Sequence, residues 1–271
     1  MIATVTLNPS LDEWMQLSSL RAGRLNRATG FARYPGGKGL NVSRVIRELG
    51  GPTLAFALAG GQDGLVLRGL MRRLAIPHAF VEIAGTTRNN YKIRTTRPRA
   101  LTEINTEGPR VSPAILRAFE RQLFSWRPRP ACVALSGSLP PGAPPTIYYR
   151  WIRTLRRLKI PAALDASGAA LRHGLLARPW LIKPNRQEAE ELLGQRLTTT
   201  ARLLQAVTQL VQRGPRVVIL SLGRDGALMG CAEPAGLPAA RAAQAGIWLA
   251  QSPAVHTDTA VGAGDSLVGG F

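Results

Sequence analysis

Six short runs rich in aliphatic and β-branched residues recur along the chain with helix-compatible segments between them. This alternation limits the possible folds more than any other feature. The runs are IATVTL from Ile2, TLAFALAG from Thr53, ACVALSGS from Ala131, PAALDAS from Pro161, WLIKPN from Trp180 and RVVILSLG from Arg216. Between them, apolar residues fall at helical spacing at Val42, Val45, Ile46 and Leu49, at Ile147, Trp151, Ile152, Leu155 and Leu158, and at Leu203, Leu204, Val207, Leu210 and Val211. Strands that alternate with helices pair in parallel, so the fold class is α/β with a mainly parallel central sheet, and ligands are expected at the carboxyl ends of its strands. Two polar stretches, about 12–34 and 86–107, are β-compatible without a helical period and predict a small separate sheet or lid. The Ala-rich segment 233–246 reads as a loop or short helix inserted between two strands, and there is no internal repeat or long linker.

With 271 residues and 45% hydrophobic content the chain can bury a full core, which excludes a peptide hormone, a coiled coil or a disordered tail. The formal net charge of +19 raises the question of nucleic acid, and only four of the 35 basic residues are lysine. The arginines are scattered singly or in pairs such as Arg72–Arg73 and Arg156–Arg157, so nucleic-acid binding as the main role is disfavoured; solvated helix faces and acidic substrates such as phosphates account better for the excess. Cys132 and Cys231 sit in apolar runs and read as buried small hydrophobes, which fits a reducing cytoplasm. There is no leader-like segment and no run of 18 apolar residues, so the expectation is a soluble, untargeted chain without a membrane partner. His78, His173 and His256 lack metal-ligand spacing.

Three segments carry candidate chemistry. Gly36, Gly37, Lys38 and Asn41 stand in a Gly-rich turn that runs into a helix, where open backbone and helix-start amides suit a polar or anionic ligand. The turn is not a Walker A loop, because Gly39 stands where Ser or Thr is required. Thr259 to Ser266 forms a second such turn: Asp265 is either a helix-start charge or a general base beside the amides of Gly262, Ala263 and Gly264. In Lys183-Pro-Asn-Arg-Gln-Glu188, the spacing of Asn185 and Glu188 is that of a capping box opening a helix over 187–193 closed by Gly194; it also suits a hydrated Mg²⁺.

Taken together and in order, TVTLNPSLD, YPGGKGLNVSR, TRNNYKI, TEIN, SGSLPPG, IKPNRQE, SLGRDGAL and VGAGDS resemble the phosphofructokinase-B group of the ribokinase-like sugar kinases, most of all the bacterial 1-phosphofructokinases. The resemblance implies a single three-layer α/β/α domain with a β-sheet lid, ATP and Mg²⁺ as cofactors, and a homodimer formed through the lid. It implies phosphorylation of a ketohexose monophosphate, first of all D-fructose 1-phosphate to fructose 1,6-bisphosphate. The alternatives are the tagatose-6-phosphate and 6-phosphofructokinase activities of the same family, or an inactive sugar-phosphate or nucleotide binder.

By the same resemblance Asp265 is the base, with Gly262, Ala263 and Gly264 as the anion hole. Asp12, Gly36, Gly37, Lys38 and Asn41 hold the sugar and its phosphate, with Arg88, Lys92, Ser138 and Arg27 adding contacts. Lys183, Asn185, Glu188, Ser221 and Gly223 line the ATP·Mg²⁺ side, and Glu188 and Asn185 hold Mg²⁺ through water. Members of the family continue for some tens of residues past the GAGDS motif. This sequence stops six residues past Asp265, so the expectation is a domain lacking the usual C-terminal helices, with an anion-hole helix of barely one turn.

Overall fold

In the computed structural model the described residues are 1–232, 246–251 and 263–271. The first third of the chain runs β1 (Ile2–Thr6), β2 (Ser10–Leu17), β3 (Gly30–Gly36), α1 (Lys38–Glu48), β4 (Thr53–Ala59), α2 (Gly61–Arg73), β5 (His78–Glu82), β6 (Arg88–Thr96) and β7 (Arg99–Asn105). Then come α3 (Pro113–Ser125), β8 (Cys132–Ser136), α4 (Ile147–Arg157), β9 (Ala162–Asp165), α5 (Gly168–Leu176), β10 (Leu181–Ile182) and α6 (Arg186–Leu193). The chain continues with α7 (Thr200–Gln212), β11 (Val217–Ser221), β12 (Ala227–Cys231), β13 (Gly246–Ala250) and α8 (Ala263–Gly270).

Among the described residues, nine strands form one sheet in the order β13-β12-β11-β10-β9-β8-β1-β4-β5. From β5 to β11 every pairing is parallel, and only β12 and β13 run antiparallel. All six apolar runs become strands of this sheet, and the three helical patterns become α1, α4 and α7. Each central strand is buried on both faces, as parallel pairing demands. β4 shows the division: Leu54, Phe56 and Leu58 face α3 and α4 through a core that includes Phe119 and Trp151, whereas Ala55, Ala57 and Ala59 face α1 and α2 with Leu40, Leu67 and Met71. Phe119 stacks on Trp151 with ring centroids 5.5 Å apart. The result is a three-layer α/β/α arrangement.

A second, four-stranded sheet of order β3-β2-β6-β7 is built from the two polar stretches. Its central pairing, β2 with β6, is parallel and joins segments 78 residues apart, with Ser10 opposite Arg88 and Asp12 opposite Asn90. The two cysteines are free, as expected, but each is partly buried and not fully enclosed. His78 Nδ1 donates to Ile76 O at 3.0 Å and its ring lies tilted 4.8 Å from that of Phe80, a structural role. His256 and the inserted segment up to residue 245 lie outside the described residues.

Candidate active site

β1 lies between β4 and β8, so connections leave it in both directions and open a crevice above the carboxyl ends of the strands. The loops after β1 and β8 meet across that crevice, where Asn8 Nδ2 donates to Ser138 Oγ at 3.2 Å. Asp165 ends β9, Lys183 follows β10 and Ser221 ends β11, so the parallel strands deliver polar side chains to one rim.

A buried charge cluster forms the centre. Gly37 caps α1 with φ of 110°, and a Cβ on Gly39 would stand 2.7 Å from the carbonyl oxygen of Val5, so only glycine lets the helix start sit against β1. Lys38 then reaches over Gly137 and its ammonium meets Asp165 Oδ1 at 2.9 Å. Lys183 approaches Oδ2 of the same carboxylate at 3.3 Å. Asp165 is 1% exposed, so one enclosed carboxylate serves two ammoniums and the cluster keeps a net positive charge. Burial works against the charged form of Lys38, but Asp165, Glu188 and Asp265 together outweigh it, and the Lys38 pKa stays above its ordinary value.

Asp265 stands in the first turn of α8, 7% exposed, and its Oδ2 accepts from Asn41 Nδ2 at 2.8 Å. Helix α8 is held against α1, where a Cβ on Gly269 would come within 2.8 Å of the Val45 side chain. Burial raises the Asp265 pKa; the Asn41 hydrogen bond and the charges of Lys38 and Lys183 pull the other way, and Asp165 adds to the rise. The helix start itself favours an anion at this point. A Cβ on Gly264 would lie 3.4 Å from Lys183 Nζ, so the backbone of Ala263–Gly264 borders the cluster directly. At eight residues α8 is about two turns long, longer than expected, because packing on α1 supports it. Gly262 and the preceding residues of its motif lie outside the described residues.

The small sheet supplies the other end of the crevice. Ser10 Oγ donates to Asp12 Oδ1 at 2.8 Å, and Asn90 Nδ2 donates to Ser10 Oγ at 2.9 Å and Asp12 Oδ1 at 3.2 Å. A Cβ on Gly36 would collide with both Asp12 Oδ1 and Ser10 Oγ, so the Gly-rich loop closes directly onto these polar groups. Arg88 donates to Asn8 O at 3.1 Å, Thr106 O at 3.0 Å and Asn90 Oδ1 at 3.2 Å, all neutral acceptors that leave its charge unspent. Lys92 differs from expectation. Its ammonium meets Glu103 Oε2 at 3.0 Å and lies 5.9 Å over the Trp14 ring, so its charge is neutralised within the sheet. Arg27, exposed between β2 and β3, makes no hydrogen bond or ion pair among the described residues, and one chain alone does not tie it to the cluster.

On the far side, Asn185 Oδ1 accepts from Glu188 N at 2.8 Å and Glu188 Oε2 accepts from Asn185 N at 2.9 Å, completing the capping box. Ser221 N donates to Pro184 O at 3.0 Å, which fixes Asn185 beside β11, and Gly223 turns the chain with φ of 64°. The cap thus occupies Asn185 Oδ1 and one Glu188 oxygen, leaving Oε1 of a buried carboxylate whose pKa burial raises. No group of three or more His, Cys, Asp or Glu that could hold a metal occurs among the described residues, so an ion here would rely on water and ligand oxygens.

Sequence reasoning missed Asp165, Ser10, Asn90 and Glu103 as site or sheet partners. Asp165 had a usable signal: an acidic residue closing a buried parallel strand stands at the ligand edge of the sheet. Asn90 and Glu103 were inside quoted motifs, but only the strand register shows what they touch.

Comparison with known proteins gives one consistent picture. The sequence matches the pfkB family carbohydrate kinase profile over residues 5–271. The 1-phosphofructokinase of Bacillus subtilis (strain 168) is 34% identical over 271 residues, with all of this chain and 84% of the relative covered. That of Escherichia coli (strain K12) is 35% identical over 272 residues, covering 82% of the relative. Among solved structures, phosphofructokinase-2 from Escherichia coli in complex with substrates and products superposes with a TM-score of 0.90 at 31% identity, over 99% of this chain and 84% of that one.

Proposed function

Since this chain belongs to the pfkB family of carbohydrate kinases, we propose that it transfers the γ-phosphoryl group of ATP to the free primary hydroxyl of D-fructose 1-phosphate, giving fructose 1,6-bisphosphate. It is a sugar-phosphate kinase, and the family implies ATP as the donor. The observation that carries the reading is Asp265, a buried carboxylate at a helix start, held by Asn41 and facing the Lys38–Asp165–Lys183 cluster.

In this reading Asp12, with Ser10 and Asn90 around it, holds the sugar hydroxyls, and Arg88, with Ser138 near the crossing of the two loops, binds the phosphate the acceptor already carries. Gly36 and Gly37 let the loop close on the sugar. Asp265 takes the proton of the attacking hydroxyl, and its raised pKa keeps it basic enough for that step. Lys38, Lys183 and the amides of Ala263 and Gly264, with those of Gly262, balance the charge that develops on the transferring group. Lys183, Asn185, Ser221 and Gly223 line the nucleotide. Mg²⁺ would neutralise phosphate charge when bound, and the free oxygen of Glu188, acting through water, is the protein group suited to hold it.

The small sheet serves as a lid, over 12–34 and 86–107, that excludes water and so limits ATP hydrolysis. Phe31, Tyr34 and Ile104 on its edge strands are exposed, and a homodimer paired through this sheet would cover them. No helix of the described residues is long and apolar enough to cross a membrane, and a cytoplasmic location accords with the two free thiols.

The test is ADP release with ATP and Mg²⁺ in the presence of fructose 1-phosphate, fructose 6-phosphate, tagatose 6-phosphate or ribose in turn. The highest kcat/KM is expected with fructose 1-phosphate. A clear preference for a 6-phosphate would move the acceptor assignment, and turnover only with ribose would overturn it.

A further inference from the structure

The opposite end of the main sheet holds a cleft of about 570 Å³ that the kinase reading leaves without a role. It opens where the chain enters β9, β10 and β11, at the amino ends of those strands and away from the carboxyl-end crevice. Arg156, Lys159, Arg178 and Arg216 border it, and no Asp or Glu does among the described residues. None of these four side chains forms a hydrogen bond or ion pair among the described residues, in contrast to Lys38, Lys92 and Lys183. Three separate turns thus place like charges around one concavity, an arrangement whose mutual repulsion is relieved by an anion.

The backbone strengthens the case. Lys159 and Arg178 follow the last residues of their helices in the left-handed region, with φ of 57° and 54°; Ala75 is the one other non-glycine with positive φ among the described residues. Such positions favour glycine, and side chains held there cluster at ligand-clamping sites. Gly214, with φ of 117°, leaves room for Arg178 to lie across it, since a Cβ there would stand 2.5 Å from Arg178 Cγ. Between the cations the lining includes Ile160 and the half-buried Trp180. The volume falls within the range of roughly 300–1,000 Å³ usual for small-molecule sites.

We propose that this cleft is a second binding site, for a small anion carrying two or more phosphoryl groups, separate from the carboxyl-end crevice. The four cations supply the charge, and the forked guanidinium groups suit phosphate oxygens. A localised cleft favours a compact polyphosphate over an extended nucleic acid, which would need a continuous basic track.

Calorimetric titration of tripolyphosphate into the full chain, with the carboxyl-end crevice saturated by a non-hydrolysable ATP analogue and fructose 1-phosphate, tests this. A double variant, Lys159→Gly with Arg178→Gly, removes two cations while suiting the left-handed backbone, so its melting temperature and basal turnover are expected to be unchanged. The expected result is saturable binding in the parent chain and an affinity lower by at least about tenfold in the variant. Equal affinity in both chains would show diffuse attraction to the basic surface and would overturn the proposal. So would loss of all binding on saturating the crevice, or binding of a short DNA duplex without binding of tripolyphosphate.

Discussion

The two ends of the crevice are built in different ways. The phosphoryl-transfer end rests on the nine-stranded sheet: Asp165 and Lys183 come from adjacent parallel strand ends, and Lys38 and Asp265 from two helix starts packed together. Its carboxylates, Asp165 and Asp265, are buried and face the ammoniums of Lys38 and Lys183. The sugar end rests on the four-stranded sheet, where Ser10, Asp12, Arg88 and Asn90 line up only through the register of β2 with β6. Its groups are held by hydrogen bonds, not ion pairs, among the described residues, and the sheet they stand on exposes apolar side chains on its edges. In the proposed function the large sheet thus fixes the reacting charges, while the separate small sheet holds the groups assigned to the acceptor. Loss of a residue should therefore strike kcat at one end and KM at the other.

The largest effect is expected from Asp265→Asn, which removes the base while keeping an acceptor for Asn41. Turnover should fall by about a thousandfold with KM values little changed, as read by steady-state kinetics. Stability provides an independent check, because burial raises the Asp265 pKa in the folded state. The folded protein then binds a proton more tightly than the unfolded chain, so this carboxylate costs stability as pH rises from its ordinary value through the raised one. The melting temperature of Asp265→Asn should hold up better than that of the parent chain over that rise; a parallel course would break the account of a desolvated base.

Asp165→Asn would remove the carboxylate that both Lys38 and Lys183 approach, leaving the buried Lys183 ammonium without its nearest counter-charge. Both turnover and stability should drop, the latter by about 3 kcal/mol in denaturant titrations. An unaltered midpoint would show that Asp165 is better solvated than its 1% exposure indicates. At the other end, Arg88→Ala should raise KM for the sugar phosphate by roughly tenfold to a hundredfold with kcat nearly retained. A fall in kcat alone would erase the distinction between the ends. The smallest effect is expected from Asn185→Ala, which deletes a helix cap worth about 1 kcal/mol and should shift KM for ATP more than KM for the sugar.

The same contrast explains what the sequence made legible. The main sheet and its helices follow from local pattern, because strand burial and helix period are written in contiguous residues. Lys38, Asn41, Lys183 and Asp265 stand in contiguous motifs, which is why the sequence singles them out as candidates. Asp165 was overlooked because the same residues that mark it as the end of a buried strand conceal it as chemistry. The small sheet was expected as a unit, but its register joins residues 78 positions apart, and no local signal reports that Asp12 meets Asn90 or that Glu103 takes up the charge of Lys92. The double duty of Asn185 and Glu188 was open in the sequence, and the geometry puts the capping box in place while leaving Glu188 Oε1, the oxygen an ion's water would use, outside it.

The most direct test of the central claim is ³¹P NMR of the chain incubated with ATP, Mg²⁺ and fructose 1-phosphate. The account predicts loss of the ATP γ signal matched by growth of one new sugar phosphomonoester signal, that of fructose 1,6-bisphosphate. Growth of inorganic phosphate in its place, or an unchanged spectrum from the folded chain, would contradict it.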